Sequence, residues 1–263
     1  MTWGLGEGGV TSVLPAALRS WVRARLPGRG SPHRFIPPVR FGSLRRITPI
    51  SRRFGWDRGG LPIDRFYIER FLERHASEIA GRVLEVRDDA YVRKFGGDRV
   101  TRTDVLHLTD DNPKATIVAD LSCADHVPSD TFDCILLTQV LPFIPDVSAA
   151  VRTLHRILRP DGVVLATMPG ISQIIRYDMD RSGDYWRFTT LSARRIFECE
   201  FPQDQVRVEA HGNVLAALAF LHGLSSWELR PQELEYQDPD YEVLITVHAV
   251  KAGSAPRTED CHV

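Results

Sequence analysis

Glu85 and Asp104, 19 residues apart, are the side chains of this chain best spaced to work on a nucleotide. Glu85 belongs to the apolar run Val83-Leu84-Glu85-Val86, which reads as a buried first strand, and Asp104 lies at the end of a second strand expected over 99–105. An acid at the tip of the second strand, roughly 20 residues on, suits the hydroxyls of a ribose. Sites of that kind place glycines in the turn after the first strand, because a Cβ there would occupy ligand volume. Here the turn is Arg87-Asp88-Asp89-Ala90-Tyr91, with a larger residue at every glycine position.

These residues need elements to hold them. Residues 115–121 and 132–138 are rich in β-branched and large apolar side chains and predict a third and a fourth buried strand. An amphipathic helix is expected over 147–158, ended by Arg159-Pro160-Asp161-Gly162, and a fifth strand over 163–168. A helix over 190–198, a strand near 206–210, an apolar helix over 214–224 and a final strand over 241–250 follow. Before the first strand the apolar spacing predicts a helix over 62–80, and only a stunted helix, 91–95, fits before Gly96-Gly97. Alternation of strand and helix predicts an α/β fold with a doubly wound sheet. The chain divides into an arginine-rich arm and linker (1–61, with an amphipathic helix over 12–26), a main domain (62–251) and a disordered tail (252–263).

With 263 residues, 43% hydrophobic and 25% charged, the composition is that of an ordinary globular protein. No apolar run approaches the ~20 residues that span a bilayer, and the amino terminus lacks the pattern of a secretory signal, so a cytoplasmic location without membrane contact is expected. The cysteines form no C-x-x-C pair and the histidines show no ligand spacing, so no metal site is expected. Eleven arginines against Glu7 and Asp57 make the first sixty residues strongly basic. Such an arm can pack on its own acidic fold, join copies into a homo-oligomer or hold a partner protein; nucleic acid is not the expected partner.

The segment Asp120-Leu121 … Val127-Pro128 … Thr131-Phe132-Asp133 … Leu154 … Arg156-Ile157-Leu158-Arg159-Pro160-Asp161-Gly162, followed by Asp184-Tyr185-Trp186-Arg187-Phe188-Thr189, resembles the class I S-adenosylmethionine-dependent methyltransferases of the small-molecule type. The resemblance covers residues 62–251 and implies a seven-stranded, mostly parallel, Rossmann-like sheet with an antiparallel final hairpin. It implies S-adenosylmethionine as cofactor, bound through Tyr67, Glu85, Arg87, Asp88, Asp104, Val105, Asp120, Leu121 and Thr138. By that resemblance Glu85 and the turn through Asp89 lie near the methionine end; Tyr67, on the helix before the first strand, either covers that end or belongs to the core. Asp104 holds the ribose, and Asp120 with Leu121 contacts the adenine. Thr138 and Gln139 line the cleft near the methyl group.

The chain departs from the family in the turn, where Glu-x-Gly-x-Gly-x-Gly becomes Glu85-Val86-Arg87-Asp88-Asp89-Ala90-Tyr91. Arg87 can pair with the methionine carboxylate while Asp88 or Asp89 takes the ammonium. Alternatively Arg87 pairs with Asp88, Asp89 or Asp104 and fills the pocket. Gln139, Asp184 and Tyr185 are the candidate catalytic residues, with Asp178 and His126 as further bases. Enzymes of this class that methylate base amino groups carry Asn or Asp before Pro-Pro-Tyr after the fourth strand, where this chain has Thr138-Gln139-Val140-Leu141. The expected reaction is therefore methylation, at oxygen first, of a small polar metabolite, natural product or glycan precursor. The alternative is a protein of this fold without methyl transfer, acting as a binding or assembly partner or catalysing a different reaction.

Overall fold

Successive residues of the first strand enter different cores: Val83 packs with Ile68, Leu136 and Phe220, and Leu84 with Ile135, Leu154 and Phe197. A sheet buried on both faces is what uninterrupted apolar runs require. The computed structural model describes residues 42–253; the expected helix over 12–26 and all but the start of the tail lie outside them. The sheet has seven strands in the order β3-β2-β1-β4-β5-β7-β6. These are β1 (Gly81–Val86), β2 (Val100–His107), β3 (Ile117–Val118), β4 (Phe132–Thr138), β5 (Leu158–Pro169), β6 (Val206–His211) and β7 (Leu244–Val250). The first five are parallel, and β7 runs antiparallel between β5 and β6. This is the Rossmann-like doubly wound sheet with an antiparallel hairpin.

Helices α1 (Ile63–Arg74) and α5 (Val214–Leu221) cover one face; α2 (Val147–Ile157) and α4 (Thr190–Glu198) cover the other. Two short helices, α3 (Arg176–Met179) and α6 (Pro231–Glu235), complete the set among the described residues. Asp146 caps α2 by accepting the Ala149 amide, and Asn213 caps α5 through the Leu215 and Ala216 amides. None of the described helices is long and apolar enough to cross a membrane.

Several boundaries differ from the sequence pattern. The third strand is only two residues long, Ile117–Val118, and beside it Thr116 donates its hydroxyl to Asp104. The second strand runs two residues beyond its expected end, to His107, and so moves Asp104 into the strand interior opposite Leu84. The helix expected over 62–80 stops at Arg74, and α5 stops before Gly223, whose φ of +70° leaves the helical region. The domain boundary also moves. Residues 46–61, expected in the arm, belong to the compact unit that begins at Arg46. Ile50 and Ser51 both donate to the carbonyl of His222, Phe54 lies 6.0 Å from Phe220, and the Arg58 Nε donates to Glu228 at 2.7 Å. At Gly55 any Cβ would meet the Leu224 carbonyl at 2.6 Å, so only glycine lets this strap lie against the end of α5.

Candidate functional site

In this sheet the chain order reverses between β1 and β4, and their carboxyl ends flank the crevice where open α/β sheets bind ligands. Beyond Val86 the backbone turns through Arg87 at φ +81°, a left-handed conformation that glycine adopts freely and other residues only at about 1–2 kcal/mol. The turn therefore keeps the backbone path of a glycine while carrying an arginine. Hydrogen bonds hold it there: the Arg87 amide donates to the Leu106 carbonyl at 2.8 Å, and the Asn112 side-chain amide donates to the Arg87 carbonyl at 2.7 Å. Asp88 accepts the Ala90 amide, and buried Glu85 accepts the amides of Tyr91 and Val92 at 3.2 and 2.9 Å. Burial pushes the Glu85 carboxyl up to about 7 against the opposing pull of those two amides. Gln139, at the end of β4, is also left-handed at φ +56°. Strained backbone at two neighbouring strand ends marks a site the fold over-determines.

The first turn of α1 reaches the same corner. Arg65 donates to the Tyr91 hydroxyl at 3.2 Å and lies 3.7 Å from one oxygen of Asp64. The other oxygen, Asp64 Oδ1, is buried without a hydrogen-bond partner, and burial raises the Asp64 carboxyl above its usual range. Burial works against the Arg65 charge, but Asp64, Tyr91 and Asp88 overcome it. A half-buried cation beside a carboxylate oxygen without a hydrogen-bond partner offers charges complementary to the two ends of a zwitterionic amino-acid group. Neither residue stands out in the sequence, since an acid in the first helical turn reads as a favourable dipole contact.

Tyr67, expected to cover the methionine end, lies on the same helix but is engaged elsewhere. Tyr67 is buried, its hydroxyl donates to the Leu234 carbonyl at 3.0 Å, and its ring stacks on His211; it belongs to the core. Asp104 is likewise corrected from ribose ligand to strand interior. One oxygen accepts from Arg82 Nε at 2.7 Å; the other accepts from Thr116 at 3.1 Å and Arg102 at 3.2 Å. Burial opposes its charge, yet Arg82, Thr116 and Arg102 hold the carboxyl below its usual range. Val105 is buried within the sheet, its amide held by Thr116 Oγ1.

Where β2 actually ends, Arg87, Asp88, His107, Asp111, Asn112, Pro113 and Lys114 line an open cleft of about 390 Å³. Arg87 is exposed along its wall and Tyr91 is turned to Arg65 and Phe95, so neither closes the hollow. Beyond β3, Asp120 is exposed and accepts the amide and hydroxyl of Ser122, while Leu121 is buried in the core. On the other flank Thr138 pairs with Thr167, whose buried hydroxyl has no partner.

The segment after β5 is pinned over this edge. The amides of Tyr185 and Phe188 donate to the carbonyls of Pro142 and Pro169, and the Trp186 indole donates to the Ile144 carbonyl. Asp184 fastens the segment and is not available as a base. Its side chain is 1% exposed, it takes Arg187 through both oxygens at 2.6 and 2.9 Å, and it accepts the Ile175 amide. Arg187 holds its carboxyl below the usual range. Tyr185, half-exposed, is the candidate on this segment left facing solvent; His126 is engaged with the Val118 carbonyl at 3.0 Å.

Residues 68–213 match a family described as methyltransferase domain. No curated protein matches the sequence. Among solved structures the chain is similar to a SAM dependent methyltransferase from Archaeoglobus fulgidus, with 10% identity, a TM-score of 0.48, and 72% of this chain and 94% of that one covered. It is similar to an S-adenosylmethionine dependent methyltransferase from Mesorhizobium loti at 17% identity and a TM-score of 0.46, covering 72% and 98%. A third is Haemonchus contortus phosphoethanolamine N-methyltransferase 2, at 15% identity and a TM-score of 0.48, covering 79% and 55%.

Proposed function

The chain belongs to the methyltransferase domain family, whose methyl donor is S-adenosylmethionine, and from that premise we propose methyl transfer to an oxygen of a small polar acceptor, a metabolite, natural product or glycan precursor. The observation that carries the reading is the corner between α1 and β1. Arg65 there offers a cation for a carboxylate, Asp64 Oδ1 an unpartnered acceptor for an ammonium, and Glu85 a second buried carboxyl nearby. These side chains stand in for the missing glycine amides, and the left-handed Arg87 leaves the backbone where glycine would put it. Asp111, Asn112 and His107 at the end of β2 supply partners for sugar hydroxyls.

Bound S-adenosylmethionine supplies a methyl group already activated by the sulfonium charge. The protein's own task is then alignment and exclusion of water. Thr138 and Gln139 border the acceptor side of the crevice, and the pinned segment from Ile175 to Phe188 covers the ends of β4 and β5. An oxygen acceptor must lose its proton, and the half-exposed Tyr185 hydroxyl is our candidate to relay it to water, giving up its own proton as it takes the acceptor's.

Calorimetric titration of the protein with S-adenosylmethionine and S-adenosylhomocysteine tests the binding half. Incubation with S-adenosylmethionine and a metabolite extract, read by mass spectrometry for products gaining one methyl, tests the transfer. Heat with both ligands and a methylated product are expected. Absence of heat with either would leave a methyltransferase fold that serves as a binding partner.

A further inference from the structure

At the opposite end of α1 three side chains widely separated in the sequence meet. His75 ends the helix, Glu78 follows it by one turn, and His248 projects from β7 toward them, 170 residues after Glu78. The His75 Nδ1 lies 2.6 Å from Glu78 Oε1 and the His248 Nε2 lies 2.7 Å from Oε2; the ligand atoms of all three lie within 4.8 Å of one another. We propose that His75, Glu78 and His248 form a binding site for a divalent transition-metal ion of the zinc class, separate from the methyl-transfer edge.

Two imidazole nitrogens and one carboxylate oxygen are the donor set of zinc sites that leave a fourth position for water. The nitrogen content disfavours calcium and magnesium, which take oxygen ligands. The His75 and His248 rings lie 4.6 Å apart with the carboxylate bonded to both, so a cation that replaces the shared protons needs only small side-chain rotations. Side-chain exposures of 20% for His75, 36% for Glu78 and 13% for His248 leave access for the ion and a coordinated water. His75 also follows the last turn of α1, where unpaired carbonyls make the local potential negative. The ion would clip α1, whose other end carries Asp64 and Arg65, to β7.

The test is titration of the full-length, untagged protein with cobalt(II), read by its visible ligand-field absorption, followed by displacement with zinc(II). One equivalent of cobalt bound in a site of low symmetry, released by zinc, is expected, with a rise in melting temperature. His248→Gln and Glu78→Gln should each weaken cobalt binding by at least about tenfold, and His126→Ala should leave it unchanged. Mapping on the wild type avoids reliance on the variants: zinc should protect His75 and His248, and not His126, from diethyl pyrocarbonate. No cobalt signal, retained binding in His248→Gln, or protection confined to Cys261 and His262 would overturn the proposal.

Discussion

Asp104, inside β2, and Asp64, on the first turn of α1, are both carboxylates withdrawn from water, and their surroundings are opposite. Asp104 meets two arginines and a threonine hydroxyl, and its carboxyl is held low. Asp64 has one arginine at 3.7 Å and an oxygen with no partner, and its carboxyl is pushed up. A related contrast separates Asp184, closed on Arg187, from Glu85, which has two backbone amides but no cation and is pushed by burial to about 7. A buried charge that is fully paired in the absence of ligand is already used by the fold. One that is desolvated and incompletely paired is a candidate to be completed by something else.

The largest expected effect falls on the paired side. Asp104→Asn strands Arg82 beside Phe132 and should lower stability by about 3 kcal/mol, the scale for removing one partner of a buried pair. Urea unfolding measures it, and a loss below about 1 kcal/mol would erase the distinction drawn here.

Glu85 should give the next largest effect, as a dependence on pH. An acid whose folded value lies near 7 and whose ordinary value is 4.5 binds more protons when folded, so its contribution to stability falls as pH rises between those values. The stability of Glu85→Gln relative to wild type should therefore increase across that window by about 3 kcal/mol, then level off above pH ~7. A parallel pair of stability curves would show that Glu85 is ionised without penalty.

Arg87→Gly should have the smallest effect. It releases the left-handed strain but frees the unfolded chain, for a net gain within about 1 kcal/mol in denaturant midpoint experiments. A clear loss of stability would mean that the Arg87 side chain, and not its backbone, builds the turn.

Sequence patterns reached the sheet readily because a doubly buried strand cannot hide: residues 132–138 and 190–198 match β4 and α4 residue for residue. Edges were harder. β3 forms only two residues, and the bond from the Thr116 hydroxyl to Asp104 beside it is a contact no periodicity contains. The site was legible as a place and less so as residues. Glu85, Arg87 and Asp88 do lie at the corner, and Thr138 and Gln139 at the neighbouring strand end. Asp104 misled because strand length, which decides whether an acid sits at the tip or in the interior, is the weakest quantity a pattern supplies. Tyr67 misled because its hydroxyl and ring are engaged inside the core, by the Leu234 carbonyl and the His211 ring, contacts from distant parts of the chain. Asp64 and Arg65 stayed hidden because their meaning arises from Tyr91 and the β1 turn, packed against them from elsewhere in the chain.

The central claim is that the incompletely paired carboxylate belongs to the cofactor and the paired one to the fold. Isothermal calorimetry with S-adenosylhomocysteine on Asp64→Asn and Asp104→Asn, each at a temperature where it is folded, tests it most directly. Asp64→Asn should bind about tenfold more weakly, a loss of ~1.4 kcal/mol, with unfolding stability equal to or above wild type, while Asp104→Asn should bind as wild type does. Undiminished binding by Asp64→Asn together with weakened binding by Asp104→Asn would contradict the account.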